Sequence, residues 1–256
     1  MWPNGNGMSK FLLLFGCFLS QYLFAQERIT ALGVQIKPMV PSHFFGTGPL
    51  SLSGDSLQAT FTHKTGWSGG MVIRKGLTKM WSIESGISMM QRNYQLDFYS
   101  RRFGQGGSTR YRFIGYEIPL QALIYVQLGK QIYMNSSAGV SCNFYPSNLL
   151  KQGYLQKDTT VVDYSVRTYR ARWNQTSIII NYGFEYRSKK SGYYYIGASY
   201  NRPLSIIGIS DLRLEQNGAG NNLQIPINGS YLTVDLRYFF HEDPERVKKK
   251  IKKEGP

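Results

Sequence analysis

The 256-residue sequence predicts an all-β fold: an eight-stranded antiparallel up-and-down transmembrane β-barrel with short periplasmic turns and long extracellular loops. Three observations lead there. From Ile114 to Phe144, apolar and polar residues alternate with a period of two, the period of a strand and not of a helix. The apolar face runs for about ten residues or more, the length a tilted strand needs to cross a bilayer. The other face is small and hydrophilic, with a carboxylate at Glu117, which suits a wet and narrow lumen better than the outside of a soluble sheet.

Composition fits the same class. Charged residues are 18% and aromatics 14%, and the 19 Tyr are the residues that populate membrane interfaces. After residue 26 no apolar run reaches the roughly 18 residues of a membrane helix, which excludes a helical membrane protein but not a barrel. The net charge of +15 reads as basic loops plus the C-terminal Lys run. A nucleic-acid partner would want basic residues and stacking aromatics on one face, and the alternation offers no such face, so none is expected. The two Cys, Cys17 and Cys142, leave no disulfide once a leader is removed.

Residues 1–25 read as a signal peptide: Lys10 flanks an apolar core from Phe11 to Leu19, and Leu23-Phe24-Ala25 precedes the expected cut. Met8 serves equally as a start. The barrel then occupies residues 26–240. Its first strand, 30–38, sets Leu32, Val34 and Ile36 against Gly33, Gln35 and Lys37. A Ser/Gly/Pro-rich loop covers 39–65. The second strand, 66–75, turns at Gly76 into the third, 80–94, with Trp81, Ile83, Ile87 and Met89 outward and Ser82, Glu84, Gly86 and Ser88 inward. A loop over 95–109 carries Arg101 and Arg102.

The fourth and fifth strands form a hairpin at Leu128-Gly129-Lys130, where Gly129 is expected to supply a positive φ. Loops follow over 145–173 and 202–228. Between them, the sixth strand (176–187) shows Ile178, Ile180, Tyr182, Phe184 and Tyr186 outward, and the seventh (193–201) shows Tyr194, Ile196, Ala198 and Tyr200. The eighth, 229–240, sets Leu232, Val234, Leu236 and Tyr238 against Thr233, Asp235 and Arg237. Short turns alternate with long loops, as in outer-membrane barrels, and an even strand number places both termini in the periplasm. Residues 241–256 form a charged periplasmic tail with room for a short helix.

The segment Tyr116-Glu117-Ile118-Pro119-Leu120-Gln121-Ala122-Leu123-Ile124-Tyr125, the leader ending Ala25-Gln26 and the terminal Tyr238-Phe239-Phe240 resemble the PorT-like outer-membrane β-barrel proteins of Bacteroidetes. The resemblance implies location and architecture and little chemistry. It also implies that the C-terminal aromatics, Tyr238 and Phe240, are the signal read by the barrel assembly machinery. Some members of that family act in protein secretion, so secretion-system partners are implied as well.

Candidate site residues fall into two sets. Lys37, Arg74, Glu84, Glu117, Glu185, Arg187, Asp235 and Arg237 share the inward phase and are expected to form a lumen charge network, because buried charges must pair. Arg92, Arg101, Arg102, Arg110, Arg112, Arg170 and Arg172 are candidate contacts to lipopolysaccharide phosphates. His43, His63 and His241 show neither triad nor metal-ligand spacing, so no enzyme, metal or cofactor is expected. The reading is a non-enzymatic barrel with a structural, adhesion or secretion/assembly-related role, in contact with outer-membrane lipid and lipopolysaccharide. A narrow solute or ion pore and a soluble periplasmic calycin-like barrel are the alternatives.

Overall fold

The structure is a computed structural model and describes residues 30–41, 48–54, 56–78, 80–157, 159–188 and 191–240. The expected leader, the C-terminal tail, His43 and His241 lie outside these residues.

Among the described residues thirteen strands run in chain order: β1 (Thr30–Val40), β2 (Leu50–Ser53), β3 (Leu57–Gly76), β4 (Trp81–Ser100), β5 (Gln105–Gln127), β6 (Ile132–Phe144), β7 (Leu149–Lys157), β8 (Thr160–Arg170), β9 (Asn174–Ser188), β10 (Gly192–Pro203), β11 (Gly208–Gln216), β12 (Ala219–Ile227) and β13 (Tyr231–Phe239). Eight of them pair antiparallel in the ring β1-β3-β4-β5-β6-β9-β10-β13, and β13 returns to β1. The ring is closed and each member pairs with its neighbours in the chain, an up-and-down barrel with no free edge.

The phase read from the sequence holds on every barrel strand. Ile118 and Leu120 on β5, Ile178 and Ile180 on β9, and Ile196 and Leu236 on β10 and β13 lie exposed on the outside. Gln121, Asn135, Ser141, Asn181 and Ser199 lie buried on the inside. An apolar exterior around a polar interior is the inverse of a soluble ligand barrel and the arrangement a bilayer demands. Aromatics fringe the band: Trp67, Tyr116 and the Phe144–Trp173 pair at one end, Trp81, Tyr186, Tyr194, Tyr238 and Phe240 at the other. Side chains fill the interior, as eight strands require.

The long loops are corrected. Residues 95–109 are mostly strand: β4 and β5 continue far past the band and turn only at 101–104. Likewise β3 starts at Leu57, not near residue 66. The segments 145–173 and 202–228 form hairpins β7–β8 and β11–β12, which join through β8–β11 into a second sheet of order β12-β11-β8-β7. That sheet faces the protruding ends of β2 to β5 across an apolar core of Leu57, Phe61, Leu96, Phe98, Val166 and Leu214, among others. The result is a β-sandwich head at the end of the barrel remote from Thr30 and Phe240. It was hidden because along 95–109 the alternation survives with its sense reversed, polar outside and apolar inside, and is diluted by Gly and Ser.

The turn at Gly129 also differs. Among the described residues positive φ occurs at Gly104, Gly192, Gly218 and Asn217, and not at Gly129. The hairpin closes instead through Leu128 N–H and Gly129 N–H, both donating to Ile132 O at 3.0 and 3.2 Å.

Candidate functional site

All eight inward charges sit in the lumen. Seven of them join in one chain of alternating sign. Lys37 Nζ lies 3.9 Å from Asp235 Oδ2, and Arg237 Nη2 donates to the same oxygen at 2.7 Å. Arg237 reaches on to Glu84 through Nη1. Glu84 accepts from Arg74 Nη2 at 2.8 Å. Arg74 donates through Nη1 to Glu185, which also accepts from Arg187 Nε at 2.6 Å.

Strand register builds this chain. Arg74 and Glu84 are directly opposed on β3 and β4, and Arg237, Tyr195 and Glu185 align across β13, β10 and β9. The guanidinium faces are covered as well. Arg74 lies 4.0 Å from the Phe239 ring centroid, Arg187 4.1 Å from Tyr133 and Arg237 4.7 Å from Tyr195. Tyr195 fits across the lumen because Gly183 and Gly197, a cross-strand pair, leave room: a Cβ on either would collide with its Oη. That hydroxyl donates to Asn181 Oδ1 at 2.6 Å, and Asn181 reaches Asp235.

Glu117 is the exception and corrects the expectation of one network. It is buried, yet no cation lies within salt-bridge reach among the described residues. Its Oε1 accepts from Asn201 Nδ2 at 2.6 Å and from Tyr231 Oη at 3.0 Å. The reason is axial position: Glu84 opposes Gln121 on β5, so Glu117 stands four residues, roughly 13 Å, further along the strand. Neutral donors satisfy it there.

Arg92 is the second correction. It is only 6% exposed and so is not a lipid contact. Its Nη1 donates to Gly229 O at 2.7 Å, and its guanidinium lies 4.8 Å from the Tyr231 ring centroid. The sequence held the signal: Arg92 shares the even, inward parity of Ser82, Glu84 and Ser88. Above it the interior turns apolar, so Arg92 and Tyr231 mark the boundary between lumen and head. Tyr145, Tyr231 and Asn201, which line this boundary, carry no sequence signal apart from lumen phase.

The other arginines of that set, Arg101, Arg102, Arg110, Arg112, Arg170 and Arg172, are exposed. Arg101 and Arg102 are at the tip of the head, while Arg110 and Arg112 flank the apolar band on β5. Arg170 is engaged, donating to the carbonyls of Tyr145 and Pro146 at 2.8 and 2.9 Å. Tyr238 donates through Oη to Ser191 O at 2.7 Å, and Phe240 N–H pairs with Leu32 O, so both aromatics lie on the outer seam where the barrel closes.

His63 stands in the head, above the bilayer band. Its Nε2 lies 3.2 Å from Asn228 O, its ring packs edge-on to Phe61 and Tyr94, and Nδ1 has no partner. Burial pushes its pKa below the ordinary value, against the pull of the Asn228 carbonyl, and nearby Arg92 adds to the lowering.

No known protein family matches the chain, and no curated protein does. Among solved structures it is similar to the outer membrane protein OprG from Pseudomonas aeruginosa, with 10% identity, a TM-score of 0.47 and coverage of 83% of this chain and 96% of that one. It is also similar to the outer membrane protease OmpT from Escherichia coli, with 14% identity, a TM-score of 0.35 and coverage of 84% and 97%. The barrel is established by the chain's own closed pairing; the likeness adds nothing about activity.

Proposed function

We propose that this is a non-enzymatic outer-membrane β-barrel whose lumen is plugged and whose work is done by the head, as a structural, adhesion or secretion/assembly-related contact. Both termini lie in the periplasm on this reading, so the head stands outside the cell. The observation that carries it is the alternating ion chain across the lumen from Lys37 to Arg187. Salt-bridged, ring-covered side chains fill this cross-section toward the end of the barrel that holds Thr30 and Phe239, and the apolar head core closes the opposite end. Tyr238 and Phe240 on the closing seam suit recognition by the barrel assembly machinery, as the resemblance to the PorT-like proteins implies.

Two measurements test this. Purified protein should fractionate with the outer membrane and show heat-modifiable gel mobility, and in planar bilayers it should give no stable conductance. A reproducible open channel would replace the plug with a pore. Recovery as a soluble periplasmic protein would end the membrane reading.

A further inference from the structure

The outward face of β3, β4 and β5 changes character within one step. Its last row with apolar side chains has Trp67 and Ile114 on either side of Gln91, aligned by register across the three strands. The next row away from Thr30 and Phe239 is Lys64, Asn93 and Arg112, two residues on along β4 and β5 and three along β3, where a bulge intervenes, and the row after that is Thr62, Gln95 and Arg110. Two strand residues span roughly 6–7 Å. Three cations therefore stand at the depth where headgroup phosphates lie above acyl chains that would rest on Trp67 and Ile114.

These cations border an open groove of about 490 Å³, with Thr65 and Asn93 between them. Among the described residues no carboxylate lies within salt-bridge reach of Lys64, Arg110 or Arg112. The nearest acid on this face of β4, Asp97, is held by Gln95, which donates to it at 2.9 and 3.1 Å. Among the described residues Arg110 engages Nε alone, on Gln95 Oε1 at 3.1 Å, which leaves its remaining N–H groups to donate outward.

We propose that Lys64, Arg110 and Arg112 form a binding site for the phosphates of a multiply phosphorylated glycolipid of the lipid A type, seated with its acyl chains against the adjoining apolar rows. The site rests on the membrane reading above. Charge decides the occupant: a zwitterionic phospholipid carries its own counter-cation, whereas three uncompensated cations match two phosphates. Position decides the source: the groove opens onto the lipid-facing surface, so the phosphate arrives on a lipid.

The test is retention of lipid by purified protein in detergent micelles, read by native mass spectrometry. The probes are bisphosphoryl and monophosphoryl lipid A with identical acyl chains, a phosphatidylcholine, and inorganic phosphate alone. Wild type should retain the bisphosphoryl form over the monophosphoryl form by roughly tenfold or more, the scale of one charge-assisted contact. K64Q/R110Q/R112Q should lose that preference, and the single variants should each lose part of it. R101Q/R102Q, which removes two charges from the tip of the head, should keep it. Equal retention by the triple variant, equal loss in R101Q/R102Q, or retention of inorganic phosphate in place of lipid overturns the site. Heat-modifiable mobility of every variant separates the two readings: a protein that keeps it while showing no preference loses only the lipid site, and one that never shows it loses the membrane reading too.

Discussion

The strands β3, β4 and β5 pass through two regions that obey opposite rules. In the band, β4 turns Trp81, Ile83 and Ile87 outward and Ser82, Glu84 and Ser88 inward; in the head, the same strand turns Asn93, Gln95 and Asp97 outward and Tyr94, Leu96 and Phe98 inward. The strand never changes phase. What changes is the solvent outside it, lipid below and water above, and the side chains invert to suit. The lower region is held by ion pairs, because its apolar groups already face lipid. The upper region is held by a hydrophobic core, because only there does burying apolar surface remove it from water.

The sharpest way to break the contrast is to cut the ion chain. Arg74→Leu leaves the Glu84 carboxylate with Arg237 alone and Glu185 with Arg187 alone. Stripping one partner from a buried pair costs about 3–5 kcal/mol, so the temperature at which the barrel loses its compact gel mobility should fall steeply. A variant as heat-resistant as wild type would show that ion pairs do not hold the lower region.

Leu96→Ala or Leu214→Ala should cost about 2–5 kcal/mol in the head. The loss should appear as protease nicking of the β7–β8 and β11–β12 hairpins, with the heat resistance of the barrel retained. If both regions melt together, they are one cooperative unit and the contrast is only chemical.

Glu117→Gln should be milder, about 1 kcal/mol or less, since Tyr231 and Asn201 can still donate to the amide oxygen and no cation is stranded. A drop as large as that of Arg74→Leu would mean that Glu117 has an ionic partner after all.

The smallest effect is set by pH. His63 titrates below its ordinary value in the folded head, so the unfolded head binds its proton first as pH falls. Stability of the head is therefore full above about pH 6.5 and declines as pH drops from there toward the lowered folded value. Hairpin protection from protease, followed down that window, should lose this decline in His63→Phe.

Barrel and lumen were legible in the sequence because alternation with lipid outside is unambiguous: a single parity placed Lys37, Glu84, Glu185 and Arg237 inside together. Which charges pair was not, because pairing depends on axial height around a sheared ring, and parity says nothing of height. Hence Glu117 shares the parity of the ion chain and yet meets only Asn201 and Tyr231. The head was illegible for a different reason. Leu96, Phe98, Tyr111 and Phe113 do alternate with polar residues, but judged by lipid rules they face the wrong way, and Gly104, Gly106 and Gly107 in their midst resemble a flexible tip. Arg92 has the charge of a headgroup contact but the parity of the lumen, and parity decides its place.

The two halves of the head are attached differently. One is made of β3, β4 and β5, which run unbroken from the bilayer; β5 alone, at 23 residues, extends roughly 75 Å. The other is carried on irregular connectors at 145–148, 171–173, 204–207 and 228–230. Mechanically this is a stiff mast with a panel hung beside it. A pull on the mast is delivered straight into the barrel wall, whereas a pull on the panel works first against the apolar seam between the sheets. Tethered by the panel, the molecule yields in two stages; tethered by the mast, it holds until the barrel itself gives way.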